Sequence, residues 1–232
     1  MRVKFNSLYG GLLLLTLMTA ASGQSPVGAE PPANVRARIR VACVGDSITF
    51  GQGVQNREAN CYPAVLGRLL GSNYEVVNFG VSGATLMRNG DYPYWNLPEF
   101  KAVGEFRPNI IILMLGTNDT KMNNWLRKAQ FGPDLKNMLD HFSKLPGLPH
   151  IYACYPPPLM GLLRKSQESA IEKDVIPIIR AAAAERGVGL IDVHAALKDK
   201  PGLLPDGVHP NAEGATIIAQ TVYQALMANA MR

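Results

Sequence analysis

The sequence predicts an α/β domain built on a parallel sheet, and three observations carry that expectation. Five short apolar runs are separated by segments with helical spacing, which is the signature of strand–helix–strand crossovers. The runs are nearly continuous in apolar residues rather than alternating, as strands buried on both faces require. Polar and small residues then cluster just after the strands, at the edge where open α/β sheets bind ligands.

The elements follow in order. The strand candidates are Ile39–Val44, Glu75–Phe79, Asn109–Leu115, His150–Cys154 and Gly189–Val193. Tyr62–Leu70 places Val65, Leu66, Leu69 and Leu70 on one helical face, and Asp134–Leu145 does the same with Leu135, Met138, Leu139 and Phe142. Ile171–Arg186 repeats the pattern, and Asn211–Met231 carries a stripe of Ala215, Ile218, Val222 and Leu226. Helices on both faces of the sheet complete the expected architecture.

Upstream of the first strand, residues 1–23 read as a signal peptide. Arg2 and Lys4 precede an apolar core around Leu12–Leu15, and small residues at Ala21 and Gly23 offer cleavage sites. The apolar run falls short of the roughly 20 residues a membrane span needs. A flexible stretch (24–34) then leads to the domain (35–232), so an exported, periplasmic or secreted protein with no membrane anchor in its mature form is expected. The net charge is +5, or +3 once the first 23 residues are set aside. That is too mild to indicate nucleic acid. Cys43, Cys61 and Cys154 form neither a CxxC nor a metal-ligand spacing, and buried free thiols are the favoured reading over one disulfide.

Four short blocks hold the candidate chemistry. Gly45-Asp46-Ser47 ends the first strand in a tight turn that lifts a hydroxyl off the sheet edge. Gly80 follows the second strand, Gly116-Thr117-Asn118-Asp119 the third, and Asp206-Gly207-Val208-His209 lies beyond the fifth. Acyl transfer needs a nucleophile, a base, an orienting group and donors for an oxyanion. Ser47, His209 and Asp206 supply the first three, and the three-residue spacing lets Asp206 accept from Nδ1 while Nε2 faces the serine. The backbone N–H groups of Ser47 and Gly80, with the Asn118 amide, supply the donors. Each block alone has a plainer reading as a turn or cap; four together on one rim do not. An imidazole base works only when neutral, so activity should rise with pH, and chelators should have no effect because no metal or cofactor is implied.

On these blocks, in this order, the chain resembles the SGNH (GDSL-type) hydrolases, and most closely their carbohydrate acetylesterase-like members. The resemblance implies a flavodoxin-like sheet of order 2-1-3-4-5 and cofactor-free ester hydrolysis. The loop Asn89–Pro98 brings Tyr92, Tyr94 and Trp95 close after Gly80, where aromatic faces suit sugar rings or else pack the loop. Asp46 is a further candidate substrate contact. A serine esterase acting on short acetyl esters, with a small-molecule or carbohydrate ester as its partner, is therefore expected. A periplasmic thioesterase or lysophospholipase would use the same machinery, and a non-catalytic glycan-binding module would keep only the fold. His194, after the fifth strand, reads as a loop or helix-start residue, and Ser82 at most as a supporting group.

Overall fold

The computed structural model describes residues 37–230, so the expected signal peptide and residues 24–34 lie outside the described residues. Five strands, β1 (Ile39–Gly45), β2 (Tyr74–Gly80), β3 (Ile110–Met114), β4 (His150–Cys154) and β5 (Gly189–Ile191), pair in parallel in the order β2-β1-β3-β4-β5. The helices are α1 (Ser47–Phe50), α2 (Arg57–Asn60), α3 (Tyr62–Leu70), α4 (Pro98–Phe106) and α5 (Met122–Trp125). After these come α6 (Phe131–Ser143), α7 (Lys165–Ala170), α8 (Ile176–Arg186), α9 (Val193–Leu197) and α10 (Ala212–Ala230).

Period-two alternation along β1 divides the core. Ala42 and Val44 face one side, where Val103 of α4, Met138 and Phe142 of α6 and Ile179 of α8 pack against them. Val41 and Cys43 face the other, against Leu66 of α3, Leu197 of α9 and Ile218 and Val222 of α10. All three cysteines are buried and free, and burial pushes the Cys43 thiol up to about 12.

Local chemistry explains where the elements stop. β5 is shorter than its apolar run because Asp192 leaves the ladder to cap α9, accepting from Ala195 N–H at 2.8 Å. α10 starts where Asn211 accepts from Gly214 N–H at 2.9 Å. The segment expected as one helix over 171–186 is instead a π-helical turn, Ile171–Val175, followed by α8. Pro177 sits in the first turn of α8, where its missing N–H costs least. Residues 98–106, to which the sequence reading assigned no element, form α4, with Phe100, Val103 and Phe106 giving the helix its inward face.

Candidate active site

β1 delivers its last residue, Gly45, into a space that admits no side chain. A Cβ there would lie 2.1 Å from Thr49 Oγ1 and 2.6 Å from Met114 O. The chain turns at once into α1, with Asp46 as its cap accepting from Ile48 N–H at 2.9 Å. Ser47 is thus the first residue of α1, and its N–H is among the donors a helix start leaves unpaired within the helix. The residue is 6% exposed, so the nucleophile candidate sits at the floor of the site and not on a projecting tip.

The loop before α10 meets it. Ser47 Oγ lies 2.9 Å from His209 Nε2, and His209 Nδ1 lies 2.6 Å from Asp206 Oδ2. The other carboxylate oxygen, Oδ1, accepts from the N–H groups of Val208 and His209 at 2.9 and 2.7 Å. Asp206 is therefore held by the same short loop that it orients. Burial works to raise its pKa, but the His209 amide, the His209 ring and the Val208 amide outweigh it and pull the carboxyl down to about 2. An ionised Asp206 fixes the proton on Nδ1 and leaves Nε2 able to accept from the serine hydroxyl.

The three groups expected as oxyanion donors are placed differently. Gly80 packs on α1 so closely that a Cβ would lie 2.2 Å from Phe50 N. Its N–H, expected to point at substrate, donates to Asn78 Oδ1 at 2.9 Å. Asn78 was not singled out by the sequence reading, although a polar residue between the apolar Val77 and Phe79 of a strand is a visible signal. Its amide also donates to Thr49 O at 2.9 Å, which ties α1 to β2. Asn118 donates one side-chain amide proton to Ala84 O at 3.1 Å, and its backbone carbonyl accepts from Asn124 Nδ2 at 3.0 Å. The second amide proton is left for a ligand.

Two buried acids brace the blocks. Asp119 accepts from Leu86 N–H and Met87 N–H at 2.9 and 2.8 Å, joining the loop after β3 to the loop after β2. Burial drives its carboxyl up to about 6 against those two N–H donors. Burial likewise raises Asp46 to about 7, opposed by the Ile48 amide and reinforced by Asp119. Asp46 is 1% exposed, so it caps α1 and does not reach substrate, contrary to the sequence expectation.

The aromatic loop is also corrected. Tyr94 is fully buried and its hydroxyl donates to Phe79 O at 2.7 Å. Trp95 donates from Nε1 to Leu86 O at 2.8 Å, with Arg88 over one ring face at 3.7 Å and Phe100 at 5.0 Å. Both rings hold the loop on the domain, and only Tyr92 stands out into solvent. His194 is the second residue of α9, in keeping with its helix-start reading, and is buried with Nε2 2.8 Å from Glu168 Oε1.

Residues 43–217 match the GDSL-like lipase/acylhydrolase family. The chain belongs to that family. An acetylxylan esterase from Xylanibacter ruminicola is 35% identical over 213 residues, covering 84% of this chain and 44% of that protein. The chain thus spans less than half the length of this curated relative. Among solved structures, an aryl esterase of M. smegmatis superposes with a TM-score of 0.68 at 19% identity, covering 82% of this chain and 99% of that one. A carbohydrate acetylesterase from Sinorhizobium meliloti gives 0.69 at 18% over 82% and 99%. An acetylxylan esterase from Geobacillus stearothermophilus gives 0.64 at 21% over 82% and 94%. At such identities the structural matches speak for the fold of the GDSL-type hydrolase alone.

Proposed function

We propose that this hydrolase is a serine esterase that removes short acyl groups, acetyl above all, from carbohydrate esters. The observation that carries it is the unbroken run from Asp206 through His209 to Ser47, at 2.6 and 2.9 Å. Ser47 Oγ attacks the ester carbonyl as its proton passes to His209 Nε2. The oxyanion takes hydrogen bonds from Ser47 N–H, the free Asn118 amide proton and Gly80 N–H, the last shared with Asn78. The imidazolium, stabilised by Asp206, then gives its proton to the departing sugar oxygen. Water, deprotonated by His209, releases the acid from the acyl-enzyme and restores the serine.

The acetyl-carbohydrate preference is supported by the 35% identity to an acetylxylan esterase and by the exposed ring of Tyr92 in the loop that follows Gly80. Export belongs to the same reading, since a polymer-derived substrate is met outside the cell and residues 1–23 have the pattern of a signal peptide. A second reading, hydrolysis of longer acyl thioesters or lysophospholipids, is favoured by Met122, Leu126, Leu162 and Leu163. These side chains stand exposed in the segments that follow β3 and β4, two neighbouring strands. A panel separates them: acetylated xylo-oligosaccharides, aryl esters from acetyl to octanoyl, acyl-CoA and lysophospholipid. Acetyl esters of sugars should give the highest kcat/KM. A strong preference for octanoyl over acetyl would replace the carbohydrate reading with the second, and no turnover of any aryl acetate would leave a binding module.

A further inference from the structure

In the loop after β4, Tyr155 N–H donates to Ile191 O at 3.0 Å, and the three prolines that follow, Pro156, Pro157 and Pro158, have no N–H to offer. Leu159 and Met160 carry the next two donors, and both are used to tie the loop to something else. Leu159 N–H donates to Glu168 Oε2 at 2.6 Å. Met160 N–H donates to Gly207 O at 2.8 Å, inside the Asp206–His209 loop. The contact there is close: Gly207 has φ +77°, and a Cβ on it would lie 2.3 Å from Met160 O.

Glu168 is fixed in turn. Its second oxygen, Oε1, lies 2.8 Å from Nε2 of His194, which is 5% exposed on α9. We propose that Glu168 and His194 are positioning residues that seat the Asp206–His209 loop through Leu159 and Met160, and so set the distance from His209 to Ser47. The inference rests on the proposed roles of those three residues. A looser seat lets Gly207 drift, and His209 drifts with it by a fraction of an ångström, which acid–base chemistry registers strongly.

The same cluster could be read as a metal centre, because Glu172 brings a carboxylate oxygen within 4.8 Å of the other two ligand atoms. The bonding pattern opposes that. Both Glu168 oxygens already have partners, and Glu172 faces the Lys198 ammonium at 3.5 Å, a poor neighbour for a cation.

The test uses the full chain and an aryl acetate, with competent sites counted by titrating Ser47 with a fluorophosphonate. Glu168→Ala is expected to lower kcat per titrated site roughly 10- to 100-fold while KM stays within about twofold. Glu168→Gln should restore most of the rate, since its amide oxygen accepts from Leu159 N–H and its NH₂ reaches His194 Nε2. The downfield NMR proton of the short His209–Asp206 hydrogen bond should weaken in Glu168→Ala and persist in Glu168→Gln. An unchanged kcat per site in Glu168→Ala, with only a lower Tm, would overturn the proposal. Activity lost in chelator and restored by zinc would overturn it too, in favour of a metal centre. Ser47→Ala and His209→Ala run alongside: if they retain activity the parent reading fails, whereas if they are dead and Glu168→Ala is not, only the positioning role fails.

Discussion

Two loops at the carboxyl-end rim, Asp206–His209 and Tyr92–Trp95, carry side chains that the sequence marks for function, and the fold uses them in opposite senses. The first turns its side chains toward Ser47, and the bonds that aim them are made within four residues. Asp206 holds the amides of Val208 and His209 and the ring of His209 together. The second turns two of its three rings inward, and the groups that aim them lie well outside the loop, at Phe79 O and Leu86 O. Orientation set by local spacing can be read from a sequence. Orientation set by long-range packing cannot, because the competing partners are known only once the chain is folded.

The strongest way to break the contrast is at the first loop's target. Ser47→Ala and His209→Ala should each cut kcat by roughly 10⁴- to 10⁶-fold without loss of fold, because the groups act as one unit. Circular dichroism with turnover of an aryl acetate checks this, and near-native turnover by a folded Ser47→Ala would dissolve the assignment. Asn118→Ala should cost about 100- to 1,000-fold in kcat, the usual loss for one oxyanion donor. A change confined to KM would remove Asn118 from that role.

The second loop gives smaller and different effects. Trp95→Ala should destabilise the protein by about 3 kcal/mol, or roughly 6–12 °C in Tm, and depress small and sugar substrates alike. Tyr92→Ala should leave Tm in place and raise KM only for acetylated oligosaccharides. If instead Trp95→Ala raised KM for the oligosaccharide alone, the inward role of that ring would be refuted.

The smallest effect concerns a buried acid against the exposed one. Asp46 is raised in the fold from 3.8 to about 7, so its stabilising contribution is complete below 3.8 and is lost as pH rises through about 7. Asp46→Asn keeps an acceptor for Ile48 N–H and removes that dependence. The Tm of the variant relative to the parent should therefore climb between pH 4 and pH 8. Asp206, pulled down to about 2, works the other way: its contribution stands above 3.8 and is lost as pH falls through about 2. A Tm difference that stays level across the neutral range would show that Asp46 is ionised throughout.

Legibility followed the same division. All five strands were readable from apolar runs: β1, β3 and β4 because a strand buried on both faces must be apolar along its length, and the half-exposed edge strands β2 and β5 from shorter apolar stretches. Tyr62–Leu70 was readable to the residue, because Pro63 starts that helix and Gly71 ends it. The helix at 98–106 was hidden by its neighbours, as prolines and aromatics on either side resemble loop. Asp46 was misplaced because a capping carboxylate and a substrate-facing one look alike in a Gly-Asp-Ser run. Asn78 and Glu168 escaped notice because their partners, Gly80 N–H and Leu159 N–H, are backbone groups that a sequence does not display.

The π-helical turn at Ile171–Val175 has a consequence for how insertions and deletions would be tolerated here. Each residue of an α-helix rotates the chain by about 100°, and a π turn accommodates one residue more than the α-helical phase allows. α7 and α8 are thus out of phase by about that amount, which lets Glu168 look toward His194 while Ile179 looks into the opposite core layer. Deleting one residue between 171 and 175 would bring the two helices back into step and swing Glu168 through a quarter-turn. Not one side chain need be altered for the tie to Leu159 to be lost, so the tie depends on the length of this stretch before it depends on its side chains.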